Sequence, residues 1–288
     1  MVRVKGPLLI ASNHPNSFLD AIILATLFKN PVYSLARGDA FNGKLITKIL
    51  TSLNMLPVYR VSEGVENLEH NYYTFNACQD IFKKSGIVLI FSEGRCINEW
   101  HLRPLKKGTA RLAFTAWRQN IPLKVLPIGI NYDSFRKFGK TIHLNFGNFI
   151  TSEQMNSNFQ SAKAINDFNN KLQQQLKELV YEIAEDDKKL NDYFFTQQSL
   201  LKKILLFLPA ILGCIIHFPL YYSIHHFIKV KAKDHYDSIV VGLLFFIYPI
   251  YVLMLALAAF FITKSLVSFL LLLLVPATLL CVLHFKKN

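Results

Sequence analysis

Pro7-Leu8-Leu9-Ile10-Ala11-Ser12-Asn13-His14-Pro15-Asn16-Ser17-Phe18-Leu19-Asp20 is the stretch that sets the architecture of this chain. The apolar run ending at Ala11 has the length of a strand, and the Asn, Pro and Ser that follow turn a chain and cap a helix. A strand therefore passes into a helix across His14. Strand ends that run into helix starts are where α/β proteins place reactive side chains.

Outward from this stretch the same alternation continues. Strands are expected at Pro7–Ala11, Val32–Ala36, Pro57–Tyr59, Ile87–Phe91, Leu123–Ile130 and Ile142–Phe146. Helices are expected near Phe18–Lys29, Gly43–Leu53, Val65–Lys84, Lys107–Gln119 and Ala162–Ala184, the last amphipathic and packed on the sheet. Alternating strands and helices specify α/β architecture. No repeat or low-complexity tract interrupts it.

The composition changes at Leu200. Ser238–Ile262 and Leu266–Leu283 are almost uninterrupted apolar stretches, about 37 Å and about 27 Å long as helices, against the roughly 30 Å of a hydrocarbon core. Both read as membrane spans. Ile204–Ile224 is apolar too, but it contains Pro209, Gly213, His217 and Pro219, and is expected to dip into the membrane and return. That path keeps Lys202, Lys203, Lys229, Lys231, Lys233, Lys286 and Lys287 on one face and leaves only Lys264 across, as the lysine bias of cytoplasmic loops requires. The expected division is residues 1–198 for the α/β domain and 199–288 for the membrane region.

With 32 Lys and Arg against 19 Asp and Glu, the net charge of +13 suits a domain held against anionic lipid or one binding phosphorylated molecules. Nucleic acid is not expected, because no Lys/Arg run, zinc pattern or aromatic RNA-binding motif accompanies the charge. Cys78, Cys96, Cys214 and Cys281 have no paired spacing and read as reduced packing thiols. His217, His225, His226 and His235 lack the carboxylate or cysteine pattern of a metal site, so no metal is expected. The start MVRVKGPLLIASNH has no signal-peptide core, and export is not expected.

Four strand ends carry unusual residues in order: Asn13-His14 through Asp20, Asn54–Arg60, Ile90-Phe91-Ser92-Glu93-Gly94-Arg95, and Val125-Leu126-Pro127-Ile128-Gly129. This ordered set resembles the glycerolipid acyltransferase family, over roughly residues 7–150. The resemblance implies a mixed sheet flanked by helices and a catalytic domain in residues 1–198. It also implies acyl transfer to glycerol 3-phosphate or lysophosphatidic acid. The family has four residues between the motif His and Asp, whereas His14 and Asp20 have five between them, the mark of a glycerol-3-phosphate or dihydroxyacetone-phosphate branch. Its third block usually has Pro where this chain has Ser92, and here Arg95 follows Gly94 directly. Many relatives carry a segment before the first block, so anchoring is expected either from the C-terminal region or from residues upstream of Met1.

The resemblance implies the chemistry, and the residue types suit it. An alcohol attacks a thioester slowly, and a neutral imidazole positioned to take its proton contributes roughly 10²–10⁴ in rate. His14 is the expected base, with Asp20 accepting its other ring N–H, as the carboxylate of a serine-hydrolase triad does. The acceptor hydroxyl stands where the serine would, so no covalent acyl-enzyme is needed. Backbone amides of the first or third block are the expected oxyanion donors. Arg60, Arg95 and Arg37 are the expected phosphate ligands, and Arg103, Lys106 and Lys107 are candidates for lipid headgroups. Asn13, Glu93 and Gly94 support the site. No cofactor is expected, only acyl-CoA or acyl-carrier protein as donor. Two alternatives stand: an acceptor such as a lyso-aminolipid, which the altered third block suggests, and a non-catalytic lipid-binding protein on the same fold.

Overall fold

A computed structural model of the chain describes residues 5–59, 70–155, 159, 161–183, 190–194, 199–228 and 235–286. It forms two compact units, Met1–Asn131 with His143–Glu185, and Tyr132–Ile142 with Asp186–Asn288.

The first unit is built on six strands: β1 (Leu8–Ser12), β2 (Val32–Arg37), β3 (Met55–Val58), β4 (Ile87–Phe91), β5 (Lys124–Tyr132) and β6 (Ile142–Phe146). Their order is β3-β2-β4-β1-β5-β6. The first five are mutually parallel. Backbone bonds from Asp133 N to Thr141 O and from Gly147 N to Pro127 O run β6 antiparallel to β5, so the sheet is mixed. Every residue of β1 is buried, as a central parallel strand covered on both faces demands. That is why its sequence is a continuous apolar run instead of an alternating one.

Proline inside β5 fits for a local reason. Lys124 N donates to Pro7 O toward β1, and Val125 N donates to Ile150 O on the opposite side. With a period of two, residue 127 points its nitrogen away from β1, so the missing N–H leaves the central ladder intact.

Helices α1 (Phe18–Leu27), α2 (Lys44–Ser52), α3 (His70–Lys83), α4 (Gly108–Arg118) and α5 (Ala162–Leu179) fill the connections. The larger core lies between one sheet face and α3, α4 and α5, where Leu9, Val88 and Val125 meet Phe82, Phe114 and Trp117. Helix α5 buries Ala164, Phe168, Leu172 and Leu176, a stripe at a spacing of four that packs it on the sheet. It ends five residues earlier than the amphipathic pattern suggested. The carbonyl of Leu179 is held there by the side-chain amides of Asn131 and Asn145, and Val180 is extended. Gly129 permits this approach, since a Cβ there would lie 2.4 Å from the Leu179 carbonyl oxygen. Cys78 is fully buried in the core, and burial pushes its thiol up to about 12, so it packs and does not react.

The second unit holds α6 (Leu190–Phe194), α7 (Leu200–Ile228), α8 (Tyr236–Thr263) and α9 (Leu271–Lys286), with a 3₁₀ turn at Leu266–Leu270. Among its described residues, three helical segments are long and apolar enough to cross a membrane: Leu200–Ile228, Tyr236–Thr263 and Leu266–Lys286. Of their most apolar windows only 11–17% is buried inside the protein, the arrangement expected where lipid covers the remainder.

Here one expectation is corrected. Residues 204–224 do not fold back on themselves, because α7 is a single 29-residue helix with Pro209 and Pro219 in its interior. In apolar surroundings the helix offers backbone groups their only partners, so a proline costs one bond without a better alternative path. Gly213 lets α9 approach, since a Cβ there would meet Thr278 O at 2.6 Å and Val282 at 2.7 Å, the small-residue contact usual between membrane helices. His217 is bonded to Gly213 O at 2.7 Å and to the Tyr248 hydroxyl at 3.0 Å. The β5–β6 connection belongs to this unit: Lys140 pairs with Asp237, both side chains nearly buried, and Arg136 lies over the Tyr236 ring.

Candidate active site

Strands β4, β1 and β5 lie side by side and parallel, so their C-terminal ends share one edge of the sheet. The chain leaves β1 at Ser12 and turns away, and side chains complete the ladder it abandons. Ser12 Oγ donates to Ile128 O at 2.8 Å. The amide of Asn13 does so in both directions, Nδ2 donating to Ile130 O at 3.0 Å and Oδ1 accepting from Ile130 N at 2.8 Å. Asn13 thus acts as a further strand residue whose main chain is free to present His14.

Replacing Asn13 with alanine is expected to strand the buried Ile130 N–H and C=O, each at a cost on the order of 1–3 kcal/mol. A lowered thermal transition in detergent, with faster deuterium exchange at the Ile130 amide, is the check. An unchanged Ile130 exchange rate would show the clasp to be dispensable.

His14 is held from four sides. Its Nδ1 lies 2.9 Å from Asp20 Oδ2, its ring stacks on Phe91 at 3.8 Å between centroids and 8° from parallel, its N–H donates to Glu93 Oε2 at 2.7 Å, and its carbonyl accepts from Ile97 N. The side chain keeps 18% of its surface exposed while Asp20 is completely buried. Asp20 occupies the first turn of α1, where the helix dipole favours a carboxylate, and its Oδ2 also accepts from Asn16 N at 2.8 Å. With Nδ1 facing a carboxylate, Nε2 is the ring nitrogen left for chemistry. Five intervening residues, one more than the family pattern, still close the pair.

The third block braces the first. Glu93, 5% exposed, accepts from His14 N and from Arg103 N at 2.8 Å. Burial pushes its carboxyl above the ordinary range, against the pull of those two amides. Ser92, where the family usually has proline, donates its N–H to Ser12 O at 2.8 Å, a bond proline cannot make. Its hydroxyl lies 3.0 Å from that of Thr109. Gly94 has φ +67°, and a Cβ there would press on the stem of Lys106 at 3.0 Å. Ser17 is held at φ 54°, a conformation costing about 1–3 kcal/mol, and its N–H meets Cys96 Sγ at 2.9 Å. Asn98 Nδ2 donates to Pro15 O.

Two of the expectations shift. Of the first- and third-block backbone amides expected as oxyanion donors, those of His14, Asn16 and Ser17 are engaged within the fold by Glu93, Asp20 and Cys96. Among the nominated cations, Arg37 pairs with Asp39 two residues on, Arg103 pairs with Glu99 at 3.2 Å, and Arg60 lies outside the described residues. Arg95 is exposed at the end of β4, next to the Glu93 that holds His14. The contributions of Phe91, Asn98 and Cys96 carry no signal in the sequence beyond their place in or beside the third block.

Residues 1–131 match the family model described as Acyltransferase. No curated protein matches the chain. Among solved structures, the 1-acyl-sn-glycerophosphate (LPA) acyltransferase PlsC from Thermotoga maritima is similar, at 14% identity and a TM-score of 0.41, over 61% of this chain and 67% of that one. All four motif blocks, and the described residues that touch His14, fall inside the segment the family model covers, so residues 1–131 are similar to the acyltransferase family.

Proposed function

We propose that the protein transfers a fatty acyl group from acyl-CoA or acyl-carrier protein to a hydroxyl of glycerol 3-phosphate or lysophosphatidic acid at a membrane. The observation that carries this reading is the His14–Asp20 pair, fixed at the end of the central strand with one ring nitrogen committed. The acceptor hydroxyl gives its proton to His14 Nε2 as its oxygen bonds to the thioester carbonyl carbon. Asp20 stabilises the imidazolium that forms. Collapse of the tetrahedral intermediate breaks the carbon–sulfur bond, and the departing thiolate takes the proton back from His14. Arg95, exposed beyond the end of β4, is the cation assigned to the acceptor's phosphate in this reading, with Arg60 and Arg37 as further candidates. Exchanging Asp39 for a phosphate would keep the fork of the Arg37 guanidinium satisfied. The donor thioesters are water-soluble and cytoplasmic, so the catalytic domain faces the cytoplasm in this reading, anchored by the apolar helices of the second unit.

The test is transfer of labelled acyl groups from both donors to glycerol 3-phosphate and to lysophosphatidic acid, by the full chain in liposomes. Transfer to either supports the reading, and the preferred acceptor identifies the step. A second acceptor class, a hydroxylated lipid without phosphate such as a lyso-aminolipid, is favoured by the pairing of Arg37 with Asp39. Transfer to that class alone would replace the glycerol-phosphate reading. No transfer to any acceptor by the folded protein would leave the lipid-binding alternative.

A further inference from the structure

Helix α2 is amphipathic, yet none of its residues is buried. At 3.6 residues per turn, Leu45, Ile46 and Ile49 fall on one face together with Leu53 at the helix end, while Lys44, Lys48 and Thr51 fall on the other. The apolar side chains that would ordinarily enter a core are 71%, 48%, 49% and 51% exposed at Leu45, Ile46, Ile49 and Leu53. Only Thr47 and Leu50, at one margin of this face, are half-buried, so the helix rests on the unit along an edge and turns its apolar face outward.

We infer that α2 is an interfacial helix that docks the catalytic unit on an anionic lipid surface, independently of which acceptor the enzyme uses. Charge selects this occupant. The helix carries Lys44 and Lys48 and no acidic residue, the pattern of a helix lying in the headgroup plane with its apolar face among the acyl chains. The chain supplies the surface itself, because its second unit has three helices apolar and long enough to cross a membrane. The placement suits the chemistry too. The segment leading into α2 leaves β2 at the sheet edge where β1 and β4 end, the edge carrying His14 and Glu93.

The test uses the full chain in vesicles whose acyl chains carry bromine, composed either of phosphatidylcholine alone or with phosphatidylglycerol. Ile49→Trp and Thr51→Trp place an added fluorophore on the apolar and polar faces, and the signal of the parent protein, with Trp100 and Trp117, is subtracted. Bromine is expected to quench the residue-49 tryptophan roughly twofold or more above the residue-51 tryptophan. The excess should be larger with phosphatidylglycerol and shrink in the Lys44→Glu/Lys48→Glu variant. Equal quenching of the two tryptophans overturns the inference. So does a residue-49 tryptophan shielded from both bromine and aqueous iodide, which would mean that another part of the chain or a second copy covers the face. Because the readout is lipid contact, failure of acyl transfer leaves this result standing, and the reverse also holds.

Discussion

Alanine at His14 is expected to lower acyl transfer by at least the roughly 10²–10⁴ that a positioned general base contributes, without unfolding the protein. The ring keeps part of its surface exposed and its stacking partner Phe91 has its own place in the core edge. The backbone bonds of His14 to Glu93 and Ile97 survive the substitution. Asn at Asp20 separates base from orienter. It keeps the shape of a fully buried side chain but can present an N–H to His14 Nδ1, which favours the tautomer with its proton on Nε2. In a Ser-His-Asp triad the same exchange costs about 10⁴, and a similar loss in kcat is expected here. Together the two changes should cost little more than the larger alone, since they disable one unit. The measurement is single-turnover transfer in liposomes for both variants and their combination, with thermal scans to confirm folding. A wild-type rate in His14→Ala would remove His14 from the chemistry and leave the family fold without its base.

Much of this site is legible in the sequence, for a specific reason. The central strands are buried on both faces, so each appears as an apolar run, and the residues ending the runs stand out: Asn13-His14 after β1, Ser92-Glu93-Gly94 after β4. The pairing of His14 with Asp20 is legible through the family resemblance, whose first block sets a carboxylate a few residues after the histidine. What spacing cannot deliver is the long-range clasp, where Asn13 completes the ladder of a strand 117 residues away, or the stacking of Phe91 under the imidazole. Nor does it distinguish a free cation from Arg37, whose partner is two residues on. The path of α7 is not legible because proline and glycine break helices in water, while apolar surroundings remove the competing solvent. Composition places the boundary near residue 198, whereas the second unit begins at Asp186 and takes in Tyr132–Ile142, where Lys140 pairs with Asp237.

Glu93 gives the second large effect, and its signature separates positioning from mere support. Its two oxygens each accept one backbone N–H, tying the His14 segment to Arg103. Glutamine has the same shape but must turn an NH₂ toward one of those donors. One bond is lost and two donors oppose each other, on the order of 1–3 kcal/mol. Expressed in the transition state, that is roughly tenfold to a hundredfold in kcat, with the KM for the acyl donor nearly unchanged if the residue acts only by holding His14. Stability should respond to pH in the opposite sense. Burial holds the Glu93 carboxyl above its ordinary range, so between its unfolded and folded titrations the native state binds more protons than the unfolded one, and stability falls as pH rises. The charged form is thus the costly one. On acidification from neutral toward the carboxylate range, the wild type should gain stability relative to Glu93→Gln. At the same time it should lose activity, as the protonated carboxyl gives up one of its amides. Parallel thermal scans and rate profiles of the two proteins read both slopes. If the wild type instead loses stability relative to the variant as pH falls, the two amides outweigh burial, and Glu93 is an anionic brace that the fold depends on.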